Sequence, residues 1–319
     1  MKPTIFKQLT EAFNQSSGVG TLVPSTQAVY VKYGEQLCNA VGEYPLVYDM
    51  NAPDAVEVSN KWFAAITDSC NLSNYQRNNL KDHLNRVYMY GVKSYGIAYD
   101  SNPAIHMPTL RHEIRETSPF TKPEMAIIYD RTFVKGYRAL TLKESLIANM
   151  ARFLFCTGMR PAEARNLKLS DIVLDDTDQG SQRGRLIQII GAKGREAGKV
   201  SRYVAVTPEV LECIRVATAH RHSIKKPQGN YLFLSVQGRS VKQPSMTKDF
   251  QQLMARIGFE GKELYDLRRG CATEIIHNND YGITVAQKQL GHKNISTTMR
   301  YESLGKKRAA GLFKGFNLQ

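Results

Sequence analysis

The sequence predicts a mainly α-helical chain with a small antiparallel β-sheet, an α+β fold divided into two domains. Three observations lead to this prediction. Apolar residues recur at helical spacing through most of the 319-residue chain. Two β-branched runs, at 186–190 and 203–206, flank a segment rich in glycine and lysine. The length suits two domains of ordinary size, and an apolar fraction of 42% suits a globular protein with a core.

Positive charge is concentrated in the C-terminal two thirds of the chain. Residues 1–115 carry ten basic and ten acidic side chains, whereas the remainder carries 33 basic and 19 acidic ones and accounts for the whole net charge of +14. A basic domain beside a neutral one indicates a polyanionic partner for the basic domain. Solubility alone is the alternative explanation.

The cysteines and the apolar runs exclude several classes of protein. Five cysteines without paired spacing predict free thiols in a reducing cytosol. The sequence has no cluster of cysteine and histidine at zinc spacing, no signal-peptide pattern and no apolar run long enough to cross a bilayer. We therefore expect a soluble cytoplasmic protein with no bound metal and no membrane partner.

The N-terminal third predicts a helical domain preceded by an arm. Residues 1–24 mix polar with apolar residues, and we assign them as an N-terminal arm that could contain a short helix. Residues 25–103 predict helices with caps and stops, including a serine start at Ser25 and a glycine stop at Gly96. Residues 104–118 are polar without periodicity and predict a linker between the domains.

Residues 119–301 predict the second, mainly helical domain, and residues 302–319 a C-terminal tail. A long apolar-faced helix covers 142–156. The two β-branched runs predict the sheet, with residues 191–202 as the hairpin loop between them. After Pro208 the pattern is again mostly helical.

Three stretches of the second domain carry arginine, histidine and tyrosine in a fixed order. Arg160 follows a Thr-Gly pair, Arg268 lies in Leu-Tyr-Asp-Leu-Arg-Arg-Gly, and Tyr301 comes nine residues after His292 of Leu-Gly-His. A lone tyrosine or arginine more often packs or forms a surface ion pair. Together, in this order and spacing, the stretches resemble the signature boxes of the tyrosine recombinase (phage integrase) family.

The resemblance implies a cleavage chemistry that uses side chains and neither a metal nor a nucleotide cofactor. Tyr301 would be the nucleophile that attacks a DNA phosphate and holds it as a 3′-phosphotyrosine. Arg160 and Arg268 would clamp the non-bridging oxygens, since a guanidinium is planar and always charged. His292 would form a hydrogen bond with the same phosphate.

Two further residues match supporting positions of the family. Lys193, flanked by glycine-containing sequence in the predicted hairpin loop, matches the lysine that resembles the general acid for the departing 5′ oxygen. Lys199 in the same loop is the alternative assignment. Glu163 lies three residues after Arg160, on the same helix face if a helix begins at Pro161, and matches an acidic residue that supports the arginine.

Tyr265 departs from the family pattern. Many members have histidine at this place, three residues before the second arginine. A tyrosine can donate to a phosphate oxygen but is a poor base at neutral pH, so the group that accepts the Tyr301 proton stays open. Asp266 is adjacent, but helical geometry turns neighbouring residues apart, and we expect it to be structural.

The resemblance implies a site-specific DNA recombinase, most like the integrase of a phage or another mobile genetic element. Its partners would be double-stranded DNA with a specific site, three further copies of the chain at a Holliday junction, and accessory DNA-bending proteins, in a bacterial nucleoid. A Xer-like resolvase, a type IB topoisomerase and a catalytically inactive DNA-binding relative are the alternatives.

The flanking segments have implied roles of their own. The N-terminal domain resembles the core-binding domain of the family, with a protein-interaction bundle as the alternative because its net charge is zero. The tail resembles the segment with which related recombinases contact a neighbouring protomer. Folding of the tail back on its own domain is the alternative.

Overall fold

The computed structural model describes most of the chain, in nine stretches: residues 2–46, 55–68, 72–111, 118–133, 140–173, 186–190, 200–277, 282–292 and 294–299. Two compact units divide the chain at residues 115 and 116. The predicted fold class is confirmed, because helices dominate both units and the second unit contains one small antiparallel sheet.

The first unit is a helical bundle. Its helices are α1 (Phe6–Asn14), α2 (Ser17–Gly20), α3 (Pro24–Val41), α4 (Ala55–Asp68), α5 (Asn74–Tyr95) and α6 (Pro103–His106). Local sequence fixes the ends of α5. Ser73 and Gln76 form a capping box at its start, and Gly96 ends it in the left-handed conformation with φ of 70°.

The segment predicted as an arm, residues 1–24, belongs to this bundle. It forms α1 and α2, and the side chains of Phe6 and Leu9 are fully buried. The ring of Phe6 lies 5.0 Å from that of Trp62 on α4 and 6.0 Å from that of Tyr88 on α5. The arm prediction was therefore wrong, because the apolar side of α1 lies in the core of the bundle.

The predicted linker also begins later than residue 104. Asn78 on α5 donates to the carbonyl of Leu110 at 2.8 Å and accepts from its N–H at 2.9 Å, as a backbone partner would. Lys81 donates to the carbonyl of Met107 at 2.6 Å. These bonds hold the chain to α5 as far as residue 111, where Asn74 donates to the Arg111 carbonyl.

The second unit surrounds a long central helix. Its helices are α7 (Lys122–Phe133), α8 (Leu142–Thr157), α9 (Pro161–Asn166), α10 (Pro208–His222), α11 (Gln243–Arg256), α12 (Leu264–His277) and α13 (Gly282–Leu290). Helix α8 starts with a capping box formed by Thr141 and Glu144 and is mostly buried by α7, α10, α11 and α12. Its end at Gly158 leads directly into α9, which places Arg160 at the junction.

The sheet has the order β1 (Ile172–Val173), β2 (Leu186–Ile190) and β3 (Val200–Ala205), with antiparallel neighbours. Ile187 pairs with Val204, and both side chains are buried against the helices. Strand β3 begins three residues earlier than the sequence pattern predicts. Arg202, assigned to the loop by that pattern, is therefore part of the strand.

In the part of the chain that the structure describes, no helix has the length and hydropathy to cross a membrane. Over the same residues, histidine, cysteine, aspartate and glutamate form no group of three or more that could hold a metal ion. Cys38, Cys156, Cys213 and Cys271 are free thiols, and Cys70 lies outside the described residues.

Candidate active site

Arg268 joins the three sequence stretches that carry the predicted site. It lies on α12 and is only 2% exposed. Its Nη1 donates to the carbonyl of Gly158. Its Nη2 donates to the carbonyl of Leu290 at 2.7 Å and lies 3.1 Å from Nε2 of His292. A buried charge requires such partners, and here they come from the ends of α8 and α13.

Gly158 allows this close approach. Its φ is +63°, and a Cβ at this position would lie 2.9 Å from Cδ2 of Leu290 and 3.0 Å from Sγ of Cys271. A side chain would be strained in this backbone conformation and would push the two segments apart. The Thr-Gly pair before Arg160 therefore has a packing role, because it brings the end of α8 against the end of α13.

His292 is held as a neutral imidazole. Since a guanidinium only donates, Nε2 accepts from Arg268, and Nδ1 then carries the proton and donates to Oγ1 of Thr298 at 2.8 Å. Burial, followed by the charges of Arg268, Arg160 and Arg202, lowers the pKa of His292 from 6.5 to about 4. Near pH 7 the ring therefore orients Arg268 without adding another positive charge.

Arg160 is fixed by Glu163 at the start of α9. Its Nη1 donates to Oε1 of Glu163 at 2.8 Å, and its main-chain N–H donates to Oε2 at 2.8 Å. The Arg160 side chain is 38% exposed, so it is more open to a ligand than the buried Arg268. The same glutamate accepts two bonds from Arg202 on β3.

The carboxylate of Glu163 is stabilised as the charged form. Burial alone would raise the pKa of Glu163, but the hydrogen bonds and charge of Arg202, together with hydrogen bonds from Arg160, outweigh burial and lower the pKa to about 2. The two arginines and the glutamate therefore form a charged cluster at neutral pH, with a net positive charge near the exposed face of Arg160.

Tyr265 and Asp266 open helix α12 and have different environments. The side chain of Tyr265 is 49% exposed, three residues before Arg268. Asp266 is buried, accepts from the N–H of Glu263 at 2.7 Å and pairs with Arg269 at 2.7 Å. Its carboxylate is thus engaged in capping and pairing.

Tyr301, Lys193 and Lys199 lie outside the described residues. The structure does describe the residues on either side of Lys193 and Lys199 and those shortly before Tyr301. Strand β2 ends at Ile190, and β3 begins at Val200. Residues 295–299 are helical, and Thr298, three residues before Tyr301, is fully buried against His292.

Arg202 and Thr298 are residues of this site that the sequence analysis did not single out. The structure brings Arg268 and His292 together directly and joins Arg160 to Glu163. A signal for Arg202 existed, since it lies two residues before the buried Val204 and so shares its face of the strand. A charged residue on the buried face of a strand requires a partner.

The arrangement suits an anionic ligand. Arg160, held by Glu163, and Arg268, held beside His292, carry guanidinium groups of the kind that recognise phosphate through two parallel hydrogen bonds. The histidine between α13 and Thr298 completes the cluster without a further charge.

Comparison with known proteins matches the part of the chain that carries this site. The sequence model of the phage integrase family matches residues 139–308, which is more than half of the chain and includes every predicted site residue. The tyrosine recombinase XerD of Staphylococcus saprophyticus is 26% identical over 188 residues, which cover 58% of this chain and 56% of that protein. The chain thus spans little more than half the length of this relative.

Solved structures share the fold over nearly the whole chain. The integrase of transposon Tn1549, in complex with circular intermediate DNA, has a TM-score of 0.71 at 17% identity and covers 94% of this chain and 95% of its own. A lambda integrase tetramer bound to a Holliday junction has a TM-score of 0.64 at 14% identity, covering 92% and 79%. Because the family model matches more than half of the chain, the chain belongs to the phage integrase family of tyrosine recombinases.

Proposed function

We propose that this chain cuts and rejoins DNA strands at specific sites through a 3′-phosphotyrosine intermediate on Tyr301. The observation that carries the proposal is the anchoring of Arg268 by the carbonyls of Gly158 and Leu290 and by His292. Donors that are fixed before the reaction stabilise charge on the phosphate without reorganising during it. Three bonds of this kind fix one buried arginine in the basic unit, which is the anchoring that a phosphate clamp requires.

In the proposed reaction, the Tyr301 hydroxyl gives its proton to a general base, its oxygen attacks phosphorus and forms a P–O bond, and the bond to the 5′ oxygen breaks. Arg160 and Arg268 donate to the non-bridging oxygens, and Lys193 gives its proton to the departing 5′ oxygen. The 5′ hydroxyl of a partner strand then gives its proton to Lys193 and attacks the phosphotyrosine, so that the P–O bond to Tyr301 breaks and the tyrosine oxygen recovers its proton from the general base. The bond energy is retained throughout, so no nucleotide is consumed.

Substitution of the nucleophile tests the proposal. Tyr301→Phe should bind DNA with unchanged affinity and form no covalent complex on a nicked substrate, because only the hydroxyl is lost. Tyr99→Phe, which removes an exposed hydroxyl from the N-terminal unit, is the matched control and should cleave normally. If peptide mapping of the wild-type adduct finds the phosphate on a residue other than Tyr301, the assignment is wrong.

For the biological role, we propose integration and excision of a phage or another mobile element. The support is the similarity of fold to a transposon integrase and to lambda integrase. A Xer-like resolvase would act on a chromosomal repeat, and a type IB topoisomerase would relax supercoiled plasmid that lacks any cognate site. Relaxation of such a plasmid at the rate of cognate-site cleavage would favour the topoisomerase, and a direct repeat flanking the gene would favour integration.

The proposed partners are DNA, bound by both units, and three further copies of the chain. Segments 25–103 and 119–301 would contact the DNA, and segment 302–319 would contact a neighbouring protomer. The tail carries a basic run at 306–308 followed by Leu312, Phe313, Phe316 and Leu318. A cluster of apolar residues needs a covering surface.

Truncation of the tail tests this assembly. A chain ending at Lys306 should still bind a single site and cleave it, but it should not form the two-site complex of four protomers. Gel shifts with one-site and two-site DNA separate these steps. Normal recombination by the truncated chain would mean that the tail folds on its own domain.

A further inference from the structure

Arg202 is a charged residue with three hydrogen bonds beside the site, and none of the signature boxes contains it. Its side chain is 8% exposed. Nη1 and Nη2 donate to the two carboxylate oxygens of Glu163 at 3.0 and 2.7 Å, and Nε donates to the carbonyl of Gln289 at 3.0 Å. The fork therefore connects β3 with α9 on one side and with the end of α13 on the other.

Glu163 connects Arg202 to Arg160, because it accepts hydrogen bonds from both arginines. Both oxygens that accept from Arg202 also accept from Arg160, Oε1 from its Nη1 and Oε2 from its main-chain N–H, each at 2.8 Å. Among the described residues, Arg160 is the other donor to this carboxylate, so without Arg202 the carboxylate would be held by the residue that it must itself position. A carboxylate fixed by a bidentate arginine has a defined plane, and this plane sets the direction of the bond to Arg160.

The backbone before His292 is built around the same side chain. Gly291 has φ of +67°, and a Cβ there would lie 2.7 Å from Cδ and 3.0 Å from Nη1 of Arg202. The glycine of the Leu-Gly-His stretch thus lets the chain close over Arg202. Because the fork of Arg202 already binds both carboxylate oxygens of Glu163, it is not available to bind a phosphate in the same bidentate way.

We propose that Arg202 is a positioning residue for strand cleavage, which holds Glu163 so that Arg160 points at the scissile phosphate. The inference rests on the proposed function. It assigns to Arg202 an action through Arg160 and no contact with DNA. Because the bond to Gln289 also ties β3 to the segment before His292, the arginine keeps the two sides of the site in register.

The test measures single-turnover cleavage at saturating DNA for Arg202→Met and Arg202→Lys. In the methionine variant we expect Arg160 to lose one charge-assisted hydrogen bond to the phosphate. A loss of that size lowers the cleavage rate about 10- to 100-fold. The lysine variant keeps the charge and one of the two carboxylate contacts, so its rate should be intermediate. Arg215→Met is the matched control, since Arg215 is exposed on α10, and it should cleave at the wild-type rate.

Two readouts separate positioning from general destabilisation. In an Arg160→Ala background, Arg202→Met should lower the rate by less than about twofold, because the residue through which it acts is gone. A methylphosphonate at the scissile position carries no negative charge and reduces the demand for Arg160. On that substrate, Arg202→Met should approach the wild-type rate, whereas a merely unstable variant would be slow on both substrates.

The possible outcomes distinguish this inference from the proposed function. If wild-type protein forms no adduct on a phosphodiester, the proposed function fails. If wild type cleaves and Arg202→Met cleaves equally fast, or if its effect adds fully to that of Arg160→Ala, the positioning role is refuted. Circular dichroism verifies folding, and should Arg202→Met not fold, the lysine variant provides the same comparison.

Discussion

Replacing Gly291 with alanine tests the packing around the site most directly. Gly291 lies at the end of α13 with φ of +67°, and a Cβ there would lie 2.7 Å from Cδ of Arg202. Gly282 lies at the start of the same helix with the same φ of +67°, and a Cβ there would meet nothing within 4 Å. The two alanine variants therefore share the backbone strain and differ in the contact with Arg202.

The expected loss in free energy of unfolding has two contributions, the backbone strain and the contact with Arg202. A non-glycine residue in the left-handed conformation costs about 1–2 kcal/mol, and this applies to both variants. Only Gly291→Ala also displaces Arg202 from Glu163, and a hydrogen bond to a charged group contributes about 1.5–3 kcal/mol. We therefore expect losses of about 1–2 kcal/mol for Gly282→Ala and about 2.5–5 kcal/mol for Gly291→Ala.

The assay can assign the loss to one unit. Trp62 is the only tryptophan of the chain and is buried in the N-terminal unit, so its fluorescence follows urea unfolding of that unit. Far-UV circular dichroism follows both units. The fluorescence midpoint should stay constant in both variants, while the dichroism transition of the second unit moves to lower urea, further for Gly291→Ala. Equal shifts for the two variants would refute the close contact with Arg202.

Three other predictions concern the chemistry. Lys193→Ala should fail to cleave normal DNA but should cleave DNA whose 5′ bridging oxygen is replaced by sulfur, because a thiolate leaves without an acid. If the sulfur substrate restores cleavage by Lys199→Ala and not by Lys193→Ala, Lys199 is the general acid. Tyr265→Phe should slow cleavage by roughly tenfold to a hundredfold, the effect of one hydrogen bond to a charged group, and Tyr265→His should be active. An inactive histidine variant would mean that this position differs in role from the family pattern. Chelators should leave cleavage unchanged, since arginines supply the charge that a metal would supply; loss in EDTA with recovery in magnesium would contradict the mechanism.

Local rules made much of the fold predictable. The start of α5 at Ser73 and its end at Gly96 follow from a capping box and a left-handed glycine, both of which depend on a few adjacent residues. The role of residues 1–24 depends on distant contacts instead. Phe6 packs on Trp62 and Tyr88, more than fifty residues away, and periodicity alone does not say which surface covers an apolar face.

The boundary after the N-terminal unit shows that a sequence pattern also does not predict distant hydrogen bonds made by polar side chains. Residues 104–111 lack an apolar period, which correctly predicts the absence of a long helix or a strand. Their backbone is nevertheless fixed, because Asn78 and Lys81 of α5 bind it through side-chain hydrogen bonds. Such bonds join residues about thirty apart and leave no pattern in the sequence.

Sequence motifs predict some side chains of the site but not the main-chain groups that hold them in place. Arg268 and His292 could be predicted because their side-chain chemistry is specific. The acceptors that fix Arg268 are main-chain carbonyls of Gly158 and Leu290, and any residue type supplies a carbonyl. What the sequence does retain is the requirement for glycine where two segments approach closely.

Gly158 and Gly291 are therefore as informative about the site as its charged residues. Each has a positive φ and leaves no room for a Cβ, Gly158 against Leu290 and Gly291 against Arg202. The first brings the end of α8 within reach of Arg268, and the second closes the chain over the arginine that fixes Glu163. Because both arginines of the proposed clamp depend on these approaches, loss of either glycine should affect cleavage without removing any group that touches the phosphate.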